Sequence, residues 1–163
     1  MYSRFAKVFY FLTVLFFIVA FLYIYATLPE TVSYEVNKRG GSVRQISRDT
    51  FFFIAIASFV VLNFLIILSA KMIENQAVKS MRRLFKVGDP LRDQMLSWIY
   101  SFIGILNISL IIMAFQILQI NNQSGVGSGE LNSVFYLVPI FLIVWIIALF
   151  VILGRKIKQI QST

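Results

Sequence analysis

The side chains best suited to chemistry are three carboxylates, Glu30, Glu35 and Asp49, which lie between the first two long apolar stretches of the chain. Carboxylates work as acid and base, or as metal ligands, when a nucleophile or further ligands stand beside them. The neighbouring sequence contains no such group. We therefore predict that the chain is not an enzyme.

Two residue types that carry much of protein chemistry are missing, because the 163 residues include no Cys and no His. Thiolate and imidazole metal sites, c-type haem attachment, a Cys nucleophile and a Ser-His dyad are excluded as a result. Disulfide bonds are excluded as well. We expect neither a metal ion nor another cofactor.

Charged residues are few and unevenly placed along the chain. They make up 13% of the sequence, against 59% hydrophobic residues, whereas an average soluble domain is about 25% charged. A helix needs about 20 apolar residues to cross the hydrocarbon core of a bilayer, and four stretches reach that length without a charge. These stretches are 8–29, 50–70, 94–129 and 131–154.

This pattern predicts an all-α integral membrane protein, with a single domain over residues 1–163 and four transmembrane helices. The predicted helices cover about 7–28, 48–80, 90–120 and 131–154. The four uncharged stretches contain no Asp, Glu, Lys, Arg or His, the residues that mark the paths of pumps and transporters. Their absence argues against coupled transport by this chain alone.

Lysine and arginine predict how the helices are oriented. Eleven of them lie at the N-terminus, between helices two and three, or at the C-terminus, and four lie between helices one and two. Since cytoplasmic loops carry the excess of Lys and Arg, both termini are expected in the cytoplasm (N-in, C-in). We expect the net charge of +8 to meet anionic lipid headgroups rather than nucleic acid.

The segment between helices two and three predicts a cytoplasmic arm. Helix formers continue past the second apolar stretch, and Gly88, Asp89 and Pro90 match the left-handed residue after a helix, an N-cap and a first helical residue. The basic residues of the arm are Lys79, Arg82, Arg83 and Lys86. Either they bind anionic headgroups, or the arm is a solvated extension whose charges only set the topology.

Between helices one and two, residues 31–47 predict a small β-hairpin on the extracytoplasmic side. Apolar and polar residues alternate over 32–36 and again over 42–47, with turn-forming residues between them. The residues singled out in this loop are Pro29, Asn37, Gly40 and Gly41. Because a lone hairpin is only marginally stable in water, we expect it to rest on the outer helix ends or on another protein. Ser47 or Asp49 is expected to cap helix two.

The loop that begins at Leu28 resembles the extracytoplasmic loop of the bacterial membrane family of unknown function that includes SdpI-type immunity proteins. The residues that match the family's pattern are Leu28, Pro29, Val32, Asn37, Gly40, Ser47 and Arg48, and those that depart from it are Ser33, Glu35 and Val36. The resemblance implies a multi-pass protein of the bacterial cytoplasmic (inner) membrane and, less directly, an immunity or signalling role.

Small and polar residues inside the predicted helices form two clusters suited to helix packing. On helix three they are Ser97, Ser101, Gly104, Asn107 and Gln119, and on helix two they are Ala55, Ser58 and Ser69. Small residues let helices approach closely, and a buried amide forms hydrogen bonds across the contact. The contact is either within the four-helix bundle or between subunits, with a polar conduit as the third alternative.

Helix four is almost wholly aliphatic and aromatic. Pro139 is expected to bend it, because the missing N–H leaves the carbonyl of Phe135 without its helical partner. Trp145 falls near the middle of this helix, although Trp favours membrane interfaces. The helix either faces lipid or carries a docking face for a larger membrane partner.

Together these features predict a non-catalytic assembly or accessory subunit of a cytoplasmic-membrane protein complex, which acts through helix packing, the outer hairpin and the basic arm. Its expected partners are the lipid bilayer and either a second membrane protein or further copies of the chain. The alternative is an SdpI-like immunity or envelope-signalling membrane protein, which rests on the loop resemblance.

Overall fold

The computed structural model describes residues 2–36, 42–76, 82, 85–122 and 136–161. The helices and strands within these ranges are α1 (Tyr2–Thr27), β1 (Thr31–Val36), β2 (Ser42–Ser47), α2 (Arg48–Glu74), α3 (Pro90–Asn121) and α4 (Leu137–Gln161). Each helix contains a stretch long and apolar enough to cross a membrane. The predicted architecture, mostly helical with four membrane-length helices and a small hairpin, is confirmed and fits a multi-pass membrane protein.

Helix α3 is the centre of the fold. It packs against α1, α2 and α4, and it also contacts β1. In its most apolar stretch 44% of the residues are buried, compared with 28% in α1 and 6% in each of α2 and α4. Protein therefore surrounds much of α3, whereas α2 and α4 turn most of their apolar surface outward.

Small side chains line the contact between α1 and α3. Ala6 and Ala20 of α1 are buried, and so are Gly104 and Ala114 of α3. Small residues allow helix backbones to approach closely in a membrane. The sequence of these two helices therefore favours direct backbone packing between them.

Aromatic rings make the contact between α1 and α2. Phe17 and Phe59 are stacked, with ring centroids 4.0 Å apart and planes 1° apart. Nearer the hairpin, the Phe21 and Phe52 centroids are 5.7 Å apart. These large rings fill the space between the two helices, so α2 contacts α1 mainly through side chains.

The core consists of two apolar clusters, one near each end of the bundle. The cluster at the hairpin end contains Phe17, Ala20, Phe21, Ile24, Leu28, Val32, Ile111, Ala114 and Leu118. The cluster at the opposite end, called here the Glu74 end, contains Ala6, Ala70, Ile73, Leu96, Ile99, Tyr100 and Ile103. Residues of α1 and α3 occur in both clusters, so these two helices connect the ends of the core.

The starts of α2 and α3 follow the local signals in the sequence. Ser47 caps α2, and its Oγ accepts a hydrogen bond from Thr50 N at 3.1 Å. Asp89 caps α3, and its Oδ1 accepts from Leu91 N at 2.9 Å, while Pro90 is the first helical residue. Gly88 has φ 88°, in the left-handed region that favours glycine. The predicted start of α3 at these residues is confirmed. The helix expected to end just before Gly88 is not found, because residues 85–87 are not helical.

Helix α2 is shorter than predicted at its C-terminal end. It ends at Glu74 instead of residue 80, and the N–H of the capping residue Asn75 donates to Lys71 O. Gln76 then adopts φ 50°, a left-handed conformation that a continuing helix does not allow. Good helix formers beyond the apolar stretch are thus not sufficient to extend the helix.

Helix α4 begins at Leu137, later than the predicted residue 131, and ends at Gln161 instead of 154. Pro139 therefore lies in the first turn, where backbone N–H groups have no partner within the helix. Pro139 therefore removes no hydrogen bond from α4, and the expectation that it would do so is wrong.

The two strands pair antiparallel, with Val32 opposite Ile46 and Thr31 opposite Ser47. The pairing becomes irregular between Ser33 and residue 35. Val32 is 0% exposed and belongs to the cluster at the hairpin end. The hairpin therefore rests on the helix ends of its own chain, one of the two arrangements expected from the sequence.

Candidate functional site

A polar cluster lies in the middle of the bundle, where Thr13 of α1, Asn63 of α2 and Asn107 of α3 meet. Asn63 Nδ2 donates to Asn107 Oδ1 at 2.8 Å, and Asn107 Nδ2 donates to Asn63 Oδ1 at 3.3 Å. Asn107 Nδ2 also donates to Thr13 Oγ1 at 3.4 Å. All three residues are buried. A buried side-chain amide without hydrogen-bond partners costs free energy. The hydrogen bonds of this cluster are therefore favoured, and they link the three helices.

The remaining hydrogen-bond donors of the cluster bind backbone carbonyls within the helices. Thr13 Oγ1 donates to Tyr10 O at 2.8 Å, and Asn63 Nδ2 donates a second hydrogen bond to Phe59 O at 2.8 Å. Both amide nitrogens therefore use their two donors. The arrangement favours a packing role over a polar conduit, because no amide donor is left for a passing solute.

Thr13 and Asn63 are not among the residues selected from the sequence. A signal for them exists, however, because Asn63 and Asn107 both lie within about two residues of the midpoints of α2 and α3. Antiparallel helices bring their midpoints to the same depth. An Asn at the centre of each of two apolar helices therefore indicates that the two amides pair.

Gly104 lies where α3 meets α1. A Cβ at this position would overlap the ring of Phe9, whose Cδ1 atom would lie only 2.7 Å away. Helix α1 occupies the space that a larger side chain would need. The sequence leaves open whether the helix-three cluster packs within the chain, packs between subunits or forms a polar conduit. Gly104 contributes to packing within the chain.

Ser101 joins two tryptophans in a closed set of hydrogen bonds between α3 and α4. Trp145 Nε1 donates to Ser101 Oγ at 3.0 Å, and Ser101 Oγ donates to Trp98 O at 3.0 Å. Trp98 Nε1 in turn donates to Trp145 O at 2.8 Å. Buried indole N–H groups usually have such acceptors. The position of Trp145 is explained by packing within the chain, so it does not itself indicate an outside partner.

The other predicted packing residues do not form one cluster. Ala55 packs against the core at the hairpin end. Ser58 and Ser69 donate to carbonyls one turn earlier in α2, at 2.8 and 3.4 Å, and so bind their own helix. On α3, Ser97 is half-buried and Gln119 is exposed. A role for these residues between subunits stays a prediction.

The side chain of Asn121 fastens the hairpin to the end of α3. Its Oδ1 accepts from Ser33 N at 2.8 Å, and its Nδ2 donates to Ser33 O at 2.9 Å. Nδ2 also donates to Ile117 O at 2.7 Å. The amide thus pairs with both backbone groups of one β1 residue, as a neighbouring strand would. This residue was not selected from the sequence.

Arg48 and Tyr25 secure the hairpin at the start of α2. Arg48 N donates to Glu30 O at 2.9 Å, and its Nη1 donates to Leu28 O at 3.4 Å. The guanidinium lies 5.1 Å from the centre of the Tyr25 ring, a cation–π contact. The Tyr25 hydroxyl donates to Asp49 Oδ1 at 3.0 Å. Asp49, one of the three carboxylates between the first two apolar stretches, therefore has a structural contact.

Charged side chains converge at the Glu74 end of the bundle. Glu74 Oε1 lies 2.5 Å from Lys7 Nζ and accepts from the Tyr100 hydroxyl at 3.0 Å. Glu74 Oε2 lies 2.8 Å from Lys71 Nζ. Arg92 Nη2 donates to the backbone O of Glu74 at 3.1 Å. We call these five residues the Glu74 cluster; they join α1, α2 and α3, and none was selected from the sequence.

Part of the predicted loop and arm lies outside the described residues, namely Asn37, Gly40, Gly41, Lys79 and Arg83. Of the arm, Arg82 and Lys86 are described and exposed. Arg82 Nε donates to Gln76 O at 3.0 Å. Pro29 is exposed between α1 and β1. The binding of headgroups by the arm stays a prediction.

In the ranges that the structure describes, no group of three or more Asp and Glu side chains is placed to hold a metal ion. Comparison of the chain with protein-family models, curated proteins and solved structures found no match. These comparisons give no support to the resemblance of the loop to the SdpI-type family, which stays a prediction.

Proposed function

We propose that the chain is a non-catalytic assembly or accessory subunit of a membrane-protein complex. The proposed location is the bacterial cytoplasmic (inner) membrane, with both termini in the cytoplasm. The observation that carries the proposal is the fixed position of the hairpin, which Asn121 and Arg48 tie to two helix ends. A hairpin held in this way offers a preformed surface to another protein.

The exposed surface of the hairpin has the composition of a binding surface. Tyr34 is 42% exposed, and the Arg44 and Glu35 side chains form an exposed ion pair at 3.4 Å. Tyrosine and arginine are enriched where proteins bind one another. Because the bundle already orders the hairpin, binding through it loses less conformational entropy than binding through a free loop.

Helix α4 supports the same proposal from inside the membrane. Over residues 137–155, the part of α4 whose burial is described, the partly buried residues form a single stripe, which consists of Val138, Phe141, Leu142, Trp145, Ala148, Leu149 and Ile152. The stripe packs on α3, and the other faces are apolar and exposed. These faces suit lipid and the helices of a second membrane protein or of further copies of the chain. The basic arm would contact anionic headgroups at the cytoplasmic surface.

Co-purification in mild detergent tests the proposal. We expect a stoichiometric partner to remain with the wild-type chain and to be lost from Tyr34→Ala/Arg44→Ala, which removes exposed side chains of the hairpin. Tyr136→Ala is the matched control, because Tyr136 is 68% exposed but lies at the start of α4. A partner that stays bound to the hairpin variant would remove the hairpin from the mechanism.

Cysteine labelling tests the proposed orientation, and the absence of native Cys makes single reporters clean. Ser42→Cys and Ser124→Cys should react with a membrane-impermeant maleimide on intact cells. Ser80→Cys and Ser162→Cys should not react until the cells are opened. The reverse pattern would contradict the orientation.

An SdpI-like immunity or signalling role stays the alternative prediction, and it rests on the loop resemblance alone. The co-purification experiment separates the two functions. A lone monomer from the native membrane would favour the alternative, whereas stoichiometric partner bands favour the subunit.

A further inference from the structure

The Glu74 cluster carries more positive than negative charge. Lys7 and Lys71 contact the single carboxylate of Glu74, and Arg92 donates to the backbone O of the same residue. The Glu74 side chain is only 13% exposed, whereas those of Lys7 and Lys71 are 39% and 53% exposed. The excess charge therefore lies on the accessible side of the cluster, on the two lysines.

The two ammonium groups have spare hydrogen-bond donors. Each ammonium has three donors, and the contacts with Glu74 account for one on each lysine. Because both lysines lie against the same carboxylate, their Nζ atoms are held close together. Lys7 Nζ also lies 5.3 Å from the centre of the Tyr100 ring, which further limits its position.

The lysines mark the boundary of the apolar bundle. Lys7 directly precedes the uncharged stretch of α1, and Lys71 directly follows that of α2. Next to each on the same helix face, toward the middle of the membrane, lies an exposed apolar side chain: Phe11 after Lys7, and Leu68 before Lys71. Phosphate groups and acyl chains of lipids meet proteins at such a boundary.

We propose that Lys7 and Lys71 bind the phosphate of an anionic phospholipid in the leaflet that surrounds the Glu74 end. Glu74 pairs with both ammonium groups and neutralises only one of their two charges, so a net positive charge is left for the phosphate. Charge complementarity selects the lipid class: a phosphatidylglycerol headgroup brings one negative charge, whereas phosphatidylcholine also brings a cation that the lysines repel. Phe11 and Leu68 contact the acyl chains.

Thermal unfolding of the purified chain in neutral detergent tests the proposal. Phosphatidylglycerol should raise the Tm more than phosphatidylcholine does. Each lysine near anionic lipid contributes about 1 kcal/mol, so Lys7→Gln/Lys71→Gln should weaken the apparent affinity roughly 30-fold (about 2 kcal/mol). The matched control is Arg155→Gln/Lys156→Gln on α4, which removes two charges and should keep the response. Equal loss in both variants would overturn the proposal.

Glu74→Gln separates lipid binding from simple structural pairing. The change should lower the Tm without lipid, because two ion pairs are lost, and it should enlarge the rise caused by phosphatidylglycerol, because both lysines become free. An unchanged or smaller rise would overturn the proposal. Inorganic phosphate should not reproduce the shift, and an equal shift would show that the site takes free phosphate instead of lipid. None of these residues is in the hairpin, so the outcome is independent of the co-purification experiment.

Discussion

Replacement of Asn107 by Leu tests the central polar cluster most directly, since Leu has a similar volume and suits the membrane. Asn107→Leu removes the hydrogen bonds to Asn63 and Thr13. Thr13 keeps its bond to Tyr10 O, and Asn63 Nδ2 keeps its bond to Phe59 O. The oxygen of Asn63 and one N–H of its Nδ2 are then left in the core without their partners.

The expected cost follows from these two unsatisfied groups of Asn63. An unsatisfied buried polar group costs about 1–3 kcal/mol, whereas hydrogen bonds between membrane helices average about 0.6 kcal/mol and reach about 1.7. We expect Asn107→Leu to lower the free energy of unfolding by about 1–2 kcal/mol. Asn63→Leu should cost a similar amount, because Asn107 Oδ1 then loses its donor.

The double variant Asn63→Leu/Asn107→Leu leaves no amide in the core. It should therefore be less destabilised than the sum of the single variants, by about 0.6 to 1.7 kcal/mol. Unfolding in mixed detergent micelles, followed by circular dichroism, measures all three. Gln119→Leu is the control, since this amide is exposed on the same helix and should change little. Additive effects of the two single changes would refute the pairing.

The remaining predictions concern the three other contacts of α3. Gly104→Leu should destabilise the chain by about 1–3 kcal/mol, because the new side chain enters the space of Phe9. Gly154→Leu is the control and should have little effect on the unfolding curve, because a Cβ added at Gly154 would have no neighbouring atom within 4 Å. Asn121→Ala should lower the free energy of unfolding by about 1–2 kcal/mol, because the backbone N–H and C=O of Ser33 lose their hydrogen bonds to Asn121. The variant should also be cleaved faster by proteases at the hairpin. Equal cleavage of wild type and variant would contradict this. Trp145→Phe should cost about 0.6 kcal/mol, because Ser101 Oγ loses its donor. The emission of Trp98 should change little, because its Nε1 keeps the hydrogen bond to the backbone O of residue 145.

Structural features that depend on residues next to one another in the sequence could be predicted. The start of α3 needs only Gly88, Asp89 and Pro90 in order, since each supplies its own backbone preference. The two strands need only the alternation on either side of a turn. Helix number follows from the length of the apolar stretches, because the backbone must satisfy its hydrogen bonds internally in lipid.

Contacts between distant residues could not be predicted in the same way. Lys7, Glu74 and Tyr100 lie in three separate helices, and the helical period shows which face a residue occupies but not which helix lies opposite. The positions of Lys7 and Lys71 beside apolar stretches indicate membrane topology, but they do not reveal that both lysines pair with Glu74. A polar residue in an apolar helix can also bind its own backbone, as Ser69 does, so the residue type alone does not identify a contact between helices.

The pairing of α1 with α3 also determines the order in which the protein can be completed during synthesis. Thr13 and Asn107 are 94 residues apart, and Ser33 and Asn121 are 88 apart. At about 5–20 residues per second, a ribosome needs roughly 5–20 s to make such a separation. During that time α1, the hairpin and α2 are made in turn, and all three are made before their common partner α3. Until α3 is made, Thr13, Asn63 and Ser33 therefore lack the hydrogen-bond partners that it supplies.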